Sequence, residues 1–245
     1  MFDWILNIDS QALLWLNGYH TPWLDAFVMV FSSKFIWVPM YMMLLLVFSY
    51  IYSIQRVWLI VLGVVLTIAL ADQICATVIR PAVERLRPSN PDNPLSEFVT
   101  LVNGYRGGAY GFPSCHAANS FALAAFVSML IRHRSTVGYV FLWATLNSLS
   151  RAYLGVHYPG DLIVGASIGL CCGFFAAWLT GFALKCIYGL STPSGSTLTA
   201  PHFSLPLGVN MQHGLLGIRM VQIRVIDAFP VVGLLTVVAM AVAAL

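Results

Sequence analysis

Between Val57 and Ile79 the only charged residue is Asp72, and between Leu162 and Leu184 there is none. About 20 apolar residues in helical form cross the hydrocarbon core of a bilayer, and in lipid a helix satisfies its own backbone. These runs commit the chain to a membrane-embedded helical fold. Four more extend the pattern: Phe35–Ser53, Ser114–Ile131, Val137–Ala152 and Ile226–Leu245. Composition agrees, with 59% hydrophobic and 9% charged residues, against about 25% charged in soluble domains. The expectation is an all-α, polytopic transmembrane helical bundle of about six spans, with residues 1–245 forming a single integral membrane domain. A formal charge of +3 is too small to suggest nucleic acid as a partner.

The first residues, MFDWILNIDSQALLWLNG, carry no Lys or Arg, and the first basic residue is Lys34. A cleaved secretory signal needs a basic start, so none is expected. Trp4, Ile5, Ile8, Leu13, Leu14 and Leu16 instead predict an amphipathic helix lying on the membrane surface. The five cysteines, Cys75, Cys115, Cys171, Cys172 and Cys186, are odd in number and mostly sit in apolar runs, which argues against a disulfide framework.

Two connections are long. Arg80–Pro113 is polar and rich in Pro and Gly, and Lys185–Val225 contains STPSGSTLT, with no interpretable motif. Alternating the spans puts Arg80–Pro113 and Arg151–Asp161 on one side of the membrane. Setting aside Arg80, Arg87 and Arg151, that side keeps Lys34, Arg85 and Arg106. The other side holds Arg56, Arg132, Arg134, Lys185, Arg219 and Arg224. The excess of positive charge marks the second side as cytoplasmic.

Three short segments fall at span ends on the first side: RPAVERLRP (Arg80–Pro88), FPSCH (Phe112–His116) and SRAYLGVHYPGD (Ser150–Asp161). Arg80, Arg87 and Arg151 are permanent cations whose planar forks suit phosphate oxygens. Pro113-Ser114 before an apolar run reads as a helix start. The N–H groups of Ser114, Cys115 and His116, with the Ser114 hydroxyl, would then face an anion. His157 and Asp161 are four apart and would share one face of a helical turn. The carboxylate would fix the imidazole tautomer and leave the other nitrogen free to attack. His116 could protonate a leaving oxygen.

These segments resemble the type 2 phosphatidic acid phosphatase superfamily, whose pattern is KxxxxxxRP, then PSGH, then SRxxxxxHxxxD. The likeness runs from about Ala71 to Gly169. Its third segment matches throughout, while Arg80 replaces the usual Lys and Cys115 the usual Gly. The wider stretch is similar to lipid A and undecaprenyl pyrophosphate phosphatases of the Bacteroides group. The resemblance implies a membrane phosphatase acting on a lipid phosphate or pyrophosphate. It implies His157 as the nucleophile forming a phosphohistidine, Asp161 as its orienting group and His116 as general acid. Arg80, Arg87, Ser114, Cys115 and Arg151 would form the phosphate site. It implies no metal or other cofactor, the bilayer and a membrane lipid phosphate as partners, and an active site on the periplasmic face of a bacterial inner membrane.

Three alternatives use overlapping residues. A vanadate haloperoxidase shares such a cage but is soluble, unlike this composition. A phosphotransferase would pass the phosphoryl group to a second lipid. A non-catalytic membrane interaction protein would not need both histidines. Outside the pattern, Arg85 and Arg106 read as membrane anchors or lipid-headgroup contacts, and His20, His133, His202 and His213 as structural. Asp72, Asn119 and Asn147 read as interhelical hydrogen-bonding groups. Gly104–Gly111 reads equally as a lid over the substrate or as a plain connecting loop.

Overall fold

A computed structural model describes residues 3–189 and 211–244. Two helices, α1 (Asp3–Leu16) and α2 (Pro22–Phe31), precede the bundle. The sequence reading missed α2, although its start is legible: Thr21 Oγ1 accepts from the Leu24 N–H at 3.2 Å and Pro22 opens the first turn. A hydroxyl cap followed by proline is a standard helix-start signal. A 3₁₀ turn then leads into α3 (Val38–Tyr52), which ends at Ser53 with φ 71°.

Next, α4 (Val57–Gln73) continues through a π-helical turn, Ile74–Ile79, into α5 (Arg80–Val83). Together they form one apolar helix of 27 residues. It outlasts the expected end at Ile79 by one turn and stops at Glu84, which is left-handed with φ 48°. Arg80 therefore rides on a helix and not in the following loop. The remaining helices are α6 (Cys115–Ile131), α7 (Arg134–Tyr153), α8 (Pro159–Tyr188) and α9 (Met211–Ala243). Since α8 reaches Tyr188 and α9 begins at Met211, the expected long loop Lys185–Val225 is shorter at both ends. STPSGSTLT lies outside the described residues, as does Leu245, the expected end of the last span. There is no strand among the described residues, only a lone bridge between Leu86 and Tyr110.

Four helices are long and apolar enough to cross a membrane: Phe35–Tyr52, Val57–Val83, Pro159–Tyr188 and Ile226–Ala243. The other two expected spans correspond to α6, which has 17 residues, and α7, which buries Asn147, Ser148, Ser150 and Arg151. Of the bundle helices, α7 is the least apolar, and it carries Arg151 in its last turn. α6 packs against α4, α7 and α8, and Ala117, Ala118, Ala122, Ala124, Ala125 and Phe126 are wholly buried.

Lipid tails are as apolar as leucine, so close fit, more than exclusion of water, holds such helices together. Gly165, Gly169 and Gly173 recur every fourth residue on α8. A Cβ on any of them would overlap the backbone carbonyl of Ser114, Ala118 or Ala122 on α6. This glycine seam brings the N-terminus of α6 against the N-terminus of α8. On the same end of the bundle, Leu13 of α1 is wholly buried among Val99, Ala117, Ala152, Tyr158 and Leu162, while Trp4, Ile5, Ile8 and Trp15 stay exposed.

Candidate active site

The three sequence segments converge at this end. Arg80 comes from α5, and Arg85 and Arg87 from the chain after it. Ser114, Cys115 and His116 open α6, Arg151 closes α7, His157 lies in the turn that follows, and Asp161 is in the first turn of α8.

Ser114 caps α6 as expected, with Oγ accepting from the Ala117 N–H at 3.4 Å. Its own N–H is spent, however, donating to the Asp161 carbonyl at 3.0 Å. The expected use of that N–H toward an anion is therefore corrected. It ties the second segment to the third instead.

His157 and Asp161 do pair, but not by sharing a helical turn. Tyr158 is the N-cap of α8 and Asp161 its third residue. The carboxylate reaches back over the cap, with Oδ2 accepting from the Tyr158 N–H at 3.1 Å and lying 3.4 Å from His157 Nδ1. The imidazole is 2% exposed. Its Nε2 meets Arg87 Nη1 at 2.7 Å. A guanidinium only donates, so Nε2 carries a lone pair and the proton is on Nδ1, facing Asp161. Burial first, then the charge of Arg87, holds this histidine well below its ordinary value of 6.5. The ring is neutral with an unshared pair aimed at the arginines, which is the state a nucleophile needs.

The arginines gather around it. Arg87 also donates to the Val156 carbonyl at 3.1 Å. Its pKa is lowered to about 10 by burial and then by Arg80 and Arg151. Arg151, 4% exposed, donates to Ser32 Oγ at 2.5 Å and Tyr105 OH at 3.0 Å. Arg80 donates to the Pro113 carbonyl at 3.1 Å and to Cys115 Sγ at 2.9 Å. The two positions that depart from the family pattern thus touch each other. Nε of all three arginines is buried and has no partner among the described residues. Converging cations with unspent donors repel one another until an anion sits between them.

Several contributors were not read from the sequence. Arg85, expected to be an anchor, donates to Asp161 Oδ1 at 2.8 Å and to Asp9 Oδ2 at 2.7 Å. Its guanidinium lies 3.8 Å from the centre of the Tyr158 ring. Asp9, on α1, also accepts from the Gly160 N–H at 2.7 Å. Asp161 is therefore held on its outer oxygen by an ion-paired bridge from α1. Asp9 is one of several polar residues of α1, with Asp3, Asn7, Ser10 and Gln11, and nothing local tells which cation it meets. Arg106 also bonds within the protein: its guanidinium donates to the Ser89 carbonyl at 2.6 Å and its backbone carbonyl accepts from the Ser89 hydroxyl at 2.6 Å. That pair, with Arg87 N–H to Ala109 O at 3.0 Å and Gly111 N–H to Arg85 O at 2.8 Å, fastens residues 104–111 over the site. Gly107 (φ 74°) and Gly111 leave room for Arg87, where a Cβ would crowd its side chain.

The interhelical reading of Asp72, Asn119 and Asn147 holds, as does the structural reading of His20 and His133. Asn119 donates to Asp72 at 3.3 Å and Asn147 to Ser120 at 2.7 Å. His20 pairs with Asp25 at 2.6 Å and His133 with Asp227 at 3.5 Å. His202 and the side chain of His213 lie outside what the structure describes.

A helical membrane bundle with a neutral, carboxylate-backed histidine facing buried arginines defines a class of phosphoryl-handling membrane enzyme, and comparison with known proteins gives the family. The chain belongs to the PAP2 superfamily, which residues 60–185 match. It is 48% identical over 182 residues to a lipid A 4'-phosphatase of Bacteroides thetaiotaomicron, covering 74% of this chain and 79% of that one. It is 34% identical over 193 residues to a lipid A 4'-phosphatase of Porphyromonas gingivalis, covering 78% and 81%. Among solved structures it resembles LpxE of Aquifex aeolicus with a TM-score of 0.50 and 28% identity, covering 68% of this chain and 92% of that one. A PAP2-type phosphatidylglycerolphosphate phosphatase of Bacillus subtilis shares the fold, with a TM-score of 0.54 and 22% identity over 75% and 88% of the two chains.

Proposed function

We propose that this membrane lipid phosphatase removes a phosphate monoester from lipid A by double displacement on His157. The observation that carries the reading is the buried contact between Arg87 and the lone pair of His157 Nε2, with unspent Nε donors on Arg80, Arg87 and Arg151. In the resting site a guanidinium occupies the place where phosphorus must approach. A bound phosphate would draw that guanidinium onto its own oxygens and free Nε2 for in-line attack. The attack breaks the bond to the lipid oxygen and forms a phosphohistidine. His116 gives its proton to the departing oxygen, then takes one from the water that releases inorganic phosphate. Arg80, Arg87, Arg151, Ser114 and the α6 N-terminus at Cys115 would hold the phosphate, and fixed positive charge would stabilise each transition state. Asp161 would keep the tautomer and steady the imidazolium. No step requires a metal.

The lipid would reach the site from the side, the far ends of its acyl chains remaining in the bilayer. The whole chain would act as one domain with six spans, α6 and α7 crossing as inner helices, and α1 would lie at the interface. The balance of Lys and Arg supports a site on the periplasmic face of the inner membrane. A Glu97→Cys protein should then react with a membrane-impermeant maleimide in intact spheroplasts; protection there would reverse the orientation.

The direct test is phosphate release by detergent-purified protein in excess chelator, with His157→Ala alongside. The panel would hold lipid A, undecaprenyl pyrophosphate, phosphatidylglycerol phosphate and phosphatidic acid. The reading expects release from lipid A that survives chelation and is lost in the variant. Preference for another lipid would overturn the substrate, and phosphate appearing on a second lipid would make the protein a transferase.

A further inference from the structure

His116 lines a cavity of about 160 Å³ whose wall does not include His157. On α6 the lining residues are His116, Asn119, Ser120 and Leu123, spaced to share one helix face. On α7 they are Asn147 and Trp143, at four-residue steps below Arg151. At 1.5 Å per residue these lie ~6 and ~12 Å deeper in the bundle than Arg151. The cavity therefore descends from the phosphate site between α6 and α7.

Its polar groups are not all satisfied. Asn147 is 8% exposed and Trp143 5%. Asn119 Oδ1, Asn147 Oδ1 and Trp143 Nε1 are buried without a partner among the described residues. Buried polar atoms are almost always hydrogen-bonded, so three deficits around one cavity point to something that fills it. Turning the Asn147 carboxamide over would only exchange an orphaned oxygen for an orphaned nitrogen. Asn119 is fixed by the Asp72 carboxylate, which needs its N–H. The wall thus offers at least one buried acceptor and one indole donor. A prenyl chain has no group to meet them, and diacylglycerol esters bring acceptors without donors. A secondary amide or a hydroxylated acyl chain brings both.

We propose that this cavity is the leaving-group subsite, and that Asn119, Trp143 and Asn147 select substrates whose acyl portion carries an amide or hydroxyl, as in an acylated amino-sugar phosphate. The inference rests on the reading of His116 as general acid, because the proton donor must face the departing oxygen and the organic part of the substrate lies beyond it.

The test compares kcat/KM for two monophosphates: an amino-sugar phosphate with an N-linked 3-hydroxyacyl chain, and an analogue with an ester in place of the amide and no hydroxyl. The wild-type protein should prefer the first by about 10- to 100-fold, since a site built to hydrogen-bond rejects a ligand that cannot. Asn147→Leu and Trp143→Phe should shrink that ratio toward one. Equal rates on both compounds in the wild type would overturn the subsite, leaving a cavity that holds only roughly five waters at ~30 Å³ each. So would variants that lower both rates and keep the ratio. If the variants fail to fold, the wild-type ratio decides alone. Turnover of neither compound, with phosphate released from another lipid, would instead sink the proposed function and the subsite with it.

Discussion

At the residue scale, the site is a chain of supports leading to one nitrogen. Asp161 touches His157 at only 3.4 Å, and its other oxygen is held by Arg85, itself paired with Asp9. Loosening that bridge lets the carboxylate drift, and a misplacement of 1 Å costs about 10²-fold in rate. Arg85→Ala should lower kcat by about 10- to 100-fold with little change in KM, and Arg85→Lys should recover part of it. A rise in KM at constant kcat would mean that Arg85 binds substrate. Arg80 and Cys115 are in contact, so Arg80→Lys and Cys115→Gly should not be additive. Their coupling should fall within about 0.5–3 kcal/mol, the double variant recovering activity that either single variant loses; additive losses in kcat/KM would show independent roles.

The depressed His157 pKa gives a pH prediction. The proposed nucleophile is the neutral form of His157, whose folded pKa lies below 6.5. Activity limited by His157 therefore holds as pH falls through 6.5 and is lost only below the depressed value. Arg87→Ala removes the main charge that opposes protonation, so the acid limb of its residual kcat/KM profile should move upward. An unmoved limb would separate that limb from His157.

At the scale of elements, the meeting of α6 and α8 decides whether the segments form a site at all. Gly169→Leu should force the seam apart, lowering the thermal midpoint in detergent and abolishing phosphate release. Gly138→Leu, at a glycine of α7 facing open space, should leave both near wild type. If Gly169→Leu behaves like Gly138→Leu, the seam does not hold the site. The start of α6 was read from Pro113-Ser114, whereas α8 begins at Pro159, three residues before the expected Leu162. The cap that turns Asp161 back toward His157 was not legible, since a four-residue spacing suits a helical turn equally well. Arg85 and Asp9 are 76 positions apart, and nothing local in either residue announces the pair. The glycine spacing was visible, but which helix it would meet was not.

At the scale of the whole molecule, hydropathy alone fixed a helical membrane bundle, since lipid leaves an apolar chain few other choices. It said less about α6 and α7. α6 is apolar but only 17 residues long, and in α7 the buried polar residues Asn147, Ser148, Ser150 and Arg151 weaken the membrane signal. The central claim is that this bundle exists to present His157 as a phosphate acceptor. It is tested most directly by mixing the protein with ³²P-labelled substrate, quenching within the first turnover and digesting under alkaline conditions. Acid-labile, base-stable phosphate on the peptide containing His157 is the predicted result. Label on any other residue, or phosphate released at a normal rate with no labelled protein at any time, would contradict it.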